Sequence, residues 1–211
     1  MSLTLLIAII TTGISIYAWK KEGLLYKLVL NPYQVQKKNE YYRFITSGFV
    51  HADYIHLIFN MLSFLSFGFA IEHLYNQQYP EHGGLLFLFL YLSGIVISDI
   101  PSYLKNRNNT RYNSLGASGG VSTIIFASII SYPLEGVGVI IFVLPGFLFA
   151  ALYIFYSAYL SKNSGDNINH DAHLYGGLYG VVASLILDPS LAFSFVKAIG
   201  TFNPFDWKWV I

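Results

Sequence analysis

Apolar runs long enough to cross a membrane occupy most of this sequence. A membrane-spanning helix needs about 20 mostly apolar residues. Six runs reach or approach that length: residues 3–19, 52–72, 84–104, 115–134, 137–160 and 172–188. Charged residues make up only 11% of the chain, whereas a soluble domain carries about 25%. The pattern therefore predicts an all-α, polytopic membrane protein in which residues 1–211 form one domain.

The first connection between these runs differs from the others because it mixes charged with apolar residues. Residues 20–43 contain lysines among leucines and are interrupted by Asn31-Pro32. This composition is typical of short amphipathic segments that lie at the membrane interface. Lysines follow the first apolar run rather than precede it, which favours an uncleaved span over a signal peptide. The tail, residues 201–211, contains two tryptophans and is also expected at the interface.

The net charge and the lack of cysteine exclude several classes of function. The formal net charge is +1, which argues against a nucleic-acid partner because such a partner requires a strongly basic face. The sequence contains no cysteine. A disulfide framework, a thiol nucleophile and a cysteine-ligated metal site are therefore excluded. No cofactor is predicted.

Ser118 is a candidate nucleophile at the start of the fourth apolar run. It lies in Gly116-Ala117-Ser118-Gly119, where small neighbours leave room for a substrate carbonyl to approach the serine and a nearby backbone N–H. Helix packing is the alternative explanation, because glycine and serine are common at interfaces between membrane helices. For this short pattern alone packing is the stronger explanation, since the strand–turn–helix setting of a hydrolase nucleophile elbow is missing.

His173 strengthens the catalytic interpretation, because a serine nucleophile needs a base and neutral imidazole is the usual one. Gly176 and Gly180 follow it at i+3 and i+7 on one helical face, so this helix is expected to pack closely against a neighbour. The matching surface is expected from three glycines around the serine: Gly116, Gly119 and Gly120. The alternative role is a structural histidine that is hydrogen-bonded to a carbonyl.

No acidic residue completes a catalytic triad convincingly. Asp171 is only two residues before His173 and therefore points to another side of the helix. Asp99 and Asp188 lie near the ends of apolar runs. The sequence therefore predicts a serine–histidine dyad.

His56 and Asn60 form a third polar element, at the start of the second run. Their i, i+4 spacing puts both side chains on one helical face, and both can donate hydrogen bonds to an oxyanion. Metal binding by the six histidines is a weaker alternative. His51 and His56 are five residues apart, and no glutamate lies between two histidines as in His-Glu-x-x-His.

Taken in this order, the three motifs resemble those of the rhomboid family of intramembrane serine proteases. The family's His-x-x-x-Asn is matched by residues 56–60, and its Gly-x-Ser-Gly by residues 116–119. Its Ala-His-x-x-Gly-x-x-x-Gly is matched by residues 172–180. The resemblance extends from about residue 42 to residue 188 and implies a rhomboid-like bundle of six transmembrane helices with an interfacial first loop.

The resemblance also implies a role for each matched residue. Ser118 would be the nucleophile and His173 the general base, while His56, Asn60 and the Ser118 backbone N–H would form the oxyanion hole. Glu72 would anchor a helix end. The supporting positions would be Gly116, Gly119, Gly176, Gly180 and His51, the last as a structural histidine near the mouth of the site.

Two positions depart from the family pattern. The tryptophan–arginine pair of many rhomboid first loops is replaced by Tyr42-Arg43, so the anchoring of this loop is expected to be kept only approximately. In some rhomboids a tyrosine four residues after the serine stacks on the catalytic histidine, and here Ser122 stands at that position. Another aromatic, such as Tyr175 or Phe126, is then expected to hold the base.

The resemblance implies an intramembrane serine endopeptidase that cleaves transmembrane segments through an acyl-enzyme. Its partners would be single-span or polytopic membrane protein substrates within the lipid bilayer. The location implied is a bacterial inner (plasma) membrane, with several passes. The main alternative is a catalytically inactive rhomboid-like protein that binds membrane clients. A small transporter is a further alternative, but the sequence has no inverted repeat of the kind that transporters often show.

The distribution of cations conflicts with the orientation that the resemblance implies. The first, third and fifth connections carry ten of the twelve lysines and arginines. The positive-inside rule would place these connections in the cytoplasm and the N-terminus outside. Rhomboids have the N-terminus in the cytoplasm and a site that opens to the outside. Because the active-site motifs constrain the fold more tightly than loop charge does, the family orientation is the prediction.

Overall fold

The computed structural model describes residues 2–139, 141–163 and 168–209, and most of these residues are helical. The helices are, in chain order, α1 (Leu3–Lys20), α2 (Leu24–Leu28), α3 (Pro32–Lys38), α4 (Arg43–Thr46), α5 (Tyr54–Gln78), α6 (Gly83–Asn106), α7 (Ser118–Ser131), α8 (Gly146–Asn163), α9 (His170–Leu187) and α10 (Ser190–Gly200). A 3₁₀ turn, Ser47–Phe49, precedes α5. Strands β1 (Gly136–Val139) and β2 (Phe142–Pro145) form one antiparallel hairpin.

Among the residues that the structure describes, three helices are long and apolar enough to cross a membrane: α1, α5 and α6. Helices α9 and α10 are long and apolar enough to cross a membrane only when they are taken together, and the chain bends by 115° between them. The described chain therefore contains three candidate spans, or four if the bent pair counts as one. The prediction of a mostly helical membrane protein is confirmed at this level. Helix α10, which sequence reasoning missed, follows directly after the last predicted span.

The predicted span 137–160 is wrong in its first third. This part of the chain forms the β1–β2 hairpin, in which Gly136 pairs with Pro145 and Val139 with Phe142, and α8 begins only at Gly146. Residues 136–145 are rich in valine and isoleucine, which favour strands. A continuous apolar run cannot be assigned to helix or strand by periodicity alone. The tail also packs here, since the Trp207 indole N–H donates to the Val143 carbonyl at 3.0 Å.

The first connection, which the sequence predicts at the membrane interface, is built from the short helices α2, α3 and α4. Arg43 is almost fully buried and holds this connection together. Its guanidinium donates to the carbonyls of Tyr26 at 2.9 Å and Val29 at 2.8 Å, and to the Glu40 carboxylate at 2.6 Å. The anchoring of the loop by the arginine is therefore kept although Tyr42 stands in place of tryptophan.

Helix α7 lies at the centre of the molecule. Every residue from Gly119 to Ile130 is buried, and α5, α6 and α9 surround the helix. Its 14 residues extend about 21 Å at 1.5 Å per residue, whereas the hydrocarbon core is about 30 Å thick. A helix enclosed by protein does not have to match that thickness.

Helix α9 packs against α7 backbone to backbone, as the glycine spacing predicted. A Cβ atom at Gly176 would overlap the Gly119 carbonyl group, and one at Gly180 would lie 3.0 Å from the Thr123 carbonyl carbon. The Thr123 hydroxyl crosses the interface and donates to the Gly176 carbonyl at 3.0 Å. This close approach fixes α9, which carries His173, against the helix that begins with Ser118.

The expected partners of α9 are only partly correct. The Gly119 backbone contacts Gly176 of α9, but a Cβ atom at Gly119 would overlap Ser98 of α6, and one at Gly120 would lie 2.8 Å from the Ile95 side chain of α6. Gly116 precedes the helix and faces the His56 ring instead.

Glu72 anchors the start of α1, as expected for a helix-end residue. Its carboxylate accepts hydrogen bonds from the backbone N–H groups of Leu3 at 2.7 Å and Thr4 at 2.9 Å. The hydroxyls of Ser2 and Thr4 donate to it as well, at 2.5 and 2.7 Å. These bonds satisfy donors that the first turn of a helix leaves without intrahelical partners.

We expect Glu72→Gln to destabilise the protein by about 1–2 kcal/mol. The amide keeps one acceptor oxygen but turns its NH₂ group toward donors of α1. The measurement is the thermal unfolding midpoint in detergent, which should fall by a few degrees. Glu81→Gln is the matched control because Glu81 is exposed. Equal midpoints for the two variants would contradict the anchoring role.

Candidate active site

The structure brings the four predicted polar residues to one cavity. A cavity of about 670 Å³ is lined by Ser118, His173, His56 and Asn60. These side chains come from α5, α7 and α9, and α8 contributes Tyr153 and Phe149 to the wall. Much of the remaining wall is apolar: Ile55, Phe59, Leu115, Val121, Ile125 and Ile168. A few polar groups that converge in a mostly apolar cavity are typical of a ligand or active site.

Ser118 is the first residue of α7 and is half-buried. The turn before it requires glycine, because Gly116 has a φ of +122° that other residues rarely adopt. A side chain at Gly116 would also lie 2.7 Å from Nε2 of His56. The N–H groups of a first helical turn lack intrahelical acceptors, and the helix dipole favours negative charge there. Ser118 thus lies where an oxyanion would be stabilised.

His56 and Asn60 occupy the first two turns of α5, which begins after Asp53. The Asp53 carboxylate caps the helix by accepting from the His56 backbone N–H at 2.8 Å. The buried Asn60 amide donates one hydrogen to the His56 carbonyl at 2.9 Å. An asparagine amide carries two hydrogens, so the second is available to an acceptor in the cavity.

His51 connects the turn of Ser118 to α1. It is fully buried, and its Nε2 accepts from the Ala117 backbone N–H at 3.2 Å. Its Nδ1 lies 3.0 Å from the Ser15 hydroxyl, which itself donates to the Phe49 carbonyl. These contacts assign His51 the neutral tautomer with the proton on Nδ1. Burial, together with the nearby His56, lowers the pKa of His51 to about 3, although Asp53 opposes the shift.

We expect His51 to make the protein sensitive to acid. Its pKa is about 3 in the folded protein and about 6.5 in the unfolded chain, so the unfolded chain binds the proton first as the pH falls. Stability is fully present above pH 6.5 and is lost between pH 6.5 and 3, by about 2 kcal/mol at pH 5. Thermal midpoints measured from pH 7.5 to 5 should fall less steeply in His51→Gln than in the parent. The exposed His82 provides the control, and a His51→Gln slope equal to that of His82→Gln would contradict the prediction.

Tyr153 is the aromatic residue that holds His173. The two rings stack with centroids 6.1 Å apart and planes 24° apart. The Tyr153 hydroxyl is 2.6 Å from the Ser122 hydroxyl. Ser122, which stands where some rhomboids have a tyrosine, therefore contacts Tyr153 of α8. The expectation of Tyr175 or Phe126 is wrong: Tyr175 is exposed and Phe126 packs against the edge of Tyr153.

The acidic residues that were considered for a triad have other contacts. Asp171 accepts from the Ser161 hydroxyl, and Asp188 accepts from Ser190 at the start of α10. Asp99 is buried and accepts from the side-chain amide of Asn169. Asn169 lines the cavity and was missed by sequence reasoning. Within the described ranges, no three histidine, aspartate or glutamate side chains form a group that could hold a metal ion.

Comparison with known proteins decides the family. Residues 38–190 match the sequence profile described as Rhomboid domain, which is well over half of the chain. The chain belongs to the rhomboid family. The human presenilin-associated rhomboid-like protein, mitochondrial, is 34% identical to this rhomboid over 143 residues, covering 65% of this chain and 35% of the human protein. The zebrafish (Danio rerio) presenilin-associated rhomboid-like protein A, mitochondrial, is 32% identical over the same length, with the same coverage of both chains.

A plant protein is also similar to this rhomboid. RHOMBOID-like protein 12, mitochondrial, of Arabidopsis thaliana is 25% identical over 163 residues, covering 70% of this chain and 46% of that protein. The matched part of this rhomboid thus spans between a third and a half of the length of these relatives.

The predicted location in a bacterial inner membrane is wrong. The similar proteins from human, zebrafish and Arabidopsis are all named as mitochondrial, which contradicts it. The physical reason for the error is that apolar runs and flanking charges report insertion into a bilayer but do not identify the membrane.

Proposed function

We propose that this rhomboid is an intramembrane serine endopeptidase that cleaves transmembrane segments of membrane proteins with a Ser118–His173 dyad. The observation that carries the proposal is the shared cavity, which Ser118 and His173 line from two helices fixed in close contact. His56 and Asn60, which line the same cavity, would donate to the oxyanion together with the Ser118 backbone N–H.

The proposed reaction follows the sequence of serine proteases. His173 accepts the Ser118 proton as the serine oxygen attacks the scissile carbonyl carbon, and the oxyanion forms against the donors of His56 and Asn60. The imidazolium then protonates the leaving amine, the C–N bond breaks and an acyl-enzyme remains. Water attacks the acyl carbonyl with His173 again as base. The acid product leaves and the proton returns to Ser118.

The substrates proposed are single-span or polytopic membrane proteins in the lipid bilayer. Peptide bonds in an intact transmembrane helix are hydrogen-bonded and shielded, so the substrate must unwind locally before its carbonyl reaches Ser118. Helix-breaking residues near the cleavage site should therefore increase the rate.

The proposed membrane arrangement is a single domain of six spans formed by α1, α5, α6, α7, α8 and α9. The central helix α7 does not have to match the thickness of the hydrocarbon core, because α5, α6, α8 and α9 pack around it. Helix α8 is 18 residues long, which corresponds to about 27 Å.

A fluorophosphonate probe tests the proposal against the alternative of an inactive client-binding protein. We expect the purified protein to be labelled, and the label to be lost in Ser118→Ala and in His173→Ala. Ser131→Ala is the matched control, because Ser131 lies at the other end of α7 and donates to the Ala127 carbonyl. A folded parent protein that takes up no label would contradict the proposed activity and favour client binding.

A further inference from the structure

The side chain of Asn169 connects three parts of the molecule. Its Nδ2 donates to the Asp99 carboxylate at 3.1 Å and to the Ser114 hydroxyl at 2.8 Å. Its Oδ1 accepts from the Ser102 hydroxyl at 2.8 Å and from the Ala172 backbone N–H at 3.1 Å. An asparagine amide has two donor hydrogens and two acceptor lone pairs. All four are used, so the amide is held in one orientation.

These contacts involve the segments that carry both proposed catalytic side chains. Asn169 is the N-cap of α9, and its backbone carbonyl accepts from the His173 N–H at 3.4 Å. Ser114 lies four residues before Ser118 in the connection that leads into α7. Asn169 therefore joins the first turn of the base's helix to the approach of the nucleophile, and it attaches both to α6.

Asp99 makes a corresponding connection on the other side. Its second carboxylate oxygen lies 3.5 Å from the Ser47 hydroxyl, and the Ser47 carbonyl accepts from the Gly116 N–H at 2.9 Å. Asp99 is 6% exposed. Through Asn169 it reaches the helix of His173, and through Ser47 it reaches the turn of Ser118. It also fixes the amide, because a flipped Asn169 would place its oxygen against the carboxylate.

We propose that Asn169 and the buried Asp99 are positioning residues that set the alignment of His173 with Ser118. This inference rests on the proposed protease function. Neither residue is assigned contact with the reacting atoms. They act by holding the first turn of α9 and the turn before α7 to the same point of α6. A misplacement of about 1 Å can lower an enzymatic rate about 100-fold, so the loss of this connection should appear in kcat.

The first experiment tests whether Asn169 positions His173 or only caps α9. Aspartate and serine cap helices about as well as asparagine, so Asn169→Asp keeps the cap but removes both donors and places a second carboxylate beside Asp99. We expect kcat to fall about 10- to 100-fold with little change in KM. Asn31→Asp is the matched control: Asn31 caps α3 and donates to Asn113, but does not line the cavity. Its kcat should stay near the parent value.

A reciprocal exchange provides the second readout. In the double variant Asn169→Asp/Asp99→Asn the donor and acceptor are interchanged, so the contact can form again with one carboxylate. We expect it to recover most of the kcat that Asn169→Asp loses. If Asn169→Asp does not fold, Asn169→Ser is measured in its place, because serine caps α9 without adding a carboxylate.

The possible outcomes also distinguish this inference from the proposed function. If the parent is labelled by the fluorophosphonate and the folded Asn169 variants cleave at its kcat, positioning is refuted while the protease remains. A double variant that folds with the midpoint of the parent but recovers no activity also refutes it. A parent that is neither labelled nor cleaves any substrate refutes the protease itself.

Discussion

Replacing Ser118 by alanine is expected to reduce cleavage of a single-span membrane substrate by at least about 1000-fold. The change removes the oxygen that would form the acyl-enzyme and leaves only the effects of binding and of the oxyanion donors. The measurement is the initial rate of product formation by purified protein in liposomes. Ser131→Ala changes a serine of the same helix outside the cavity and should keep the rate of the parent.

The same experiment includes His173→Ala and the double variant. Because nucleophile and base act as one unit, the double variant should lose no more activity than the more damaging single variant. Cleavage at the parent rate by Ser118→Ala would contradict the assignment of the nucleophile. Additive losses would contradict the dyad.

Gly176→Ala is expected to produce a large structural effect for a single added methyl group. The added carbon would overlap the Gly119 carbonyl group, and backbone cannot move aside as a flexible side chain can. Overpacking of this kind costs about 1–3 kcal/mol, which corresponds to a fall of about 2–12 °C in the unfolding midpoint. The shift of α9 should also displace His173 and lower the cleavage rate about 100-fold.

Gly13→Ala is the matched control for this change. Gly13 lies within α1, and a Cβ atom there would meet nothing within 4 Å. Alanine is the better helix former, so its midpoint should equal or exceed that of the parent. If Gly176→Ala is as stable and as active as Gly13→Ala, then the close approach of α7 and α9 is not what holds His173 in position.

The sequence was sufficient for the long helices because their signal is local. Helices α1, α5 and α6 coincide with three predicted runs within a few residues, apart from the extension of α5 to Gln78. That extension was missed because residues 73–78 are mostly polar, and the end of an apolar run does not have to be the end of a helix. The β1–β2 hairpin was missed for a different reason: its residues are as apolar as those of a span.

In the candidate site, too, residues with a local sequence signal could be predicted, whereas residues whose contacts depend on the fold were missed. Ser118, His173, His56 and Asn60 could be predicted as candidates because their motifs are contiguous, and the structure brings them to one cavity. Tyr153 was missed because its contact with His173 joins helices that only the fold brings together. Asn169 was missed for the same reason, since its partners lie in α6 and in the connection before α7.

A crystal structure of the protein after reaction with a fluorophosphonate would show directly whether Ser118 is the nucleophile and His173 its base. We expect continuous density between the phosphorus and the Ser118 oxygen. We also expect a ring nitrogen of His173 within about 2.6–3.2 Å of that oxygen and the phosphoryl oxygen directed at His56 and Asn60. An adduct on another residue, or a His173 ring turned out of the cavity, would contradict these roles.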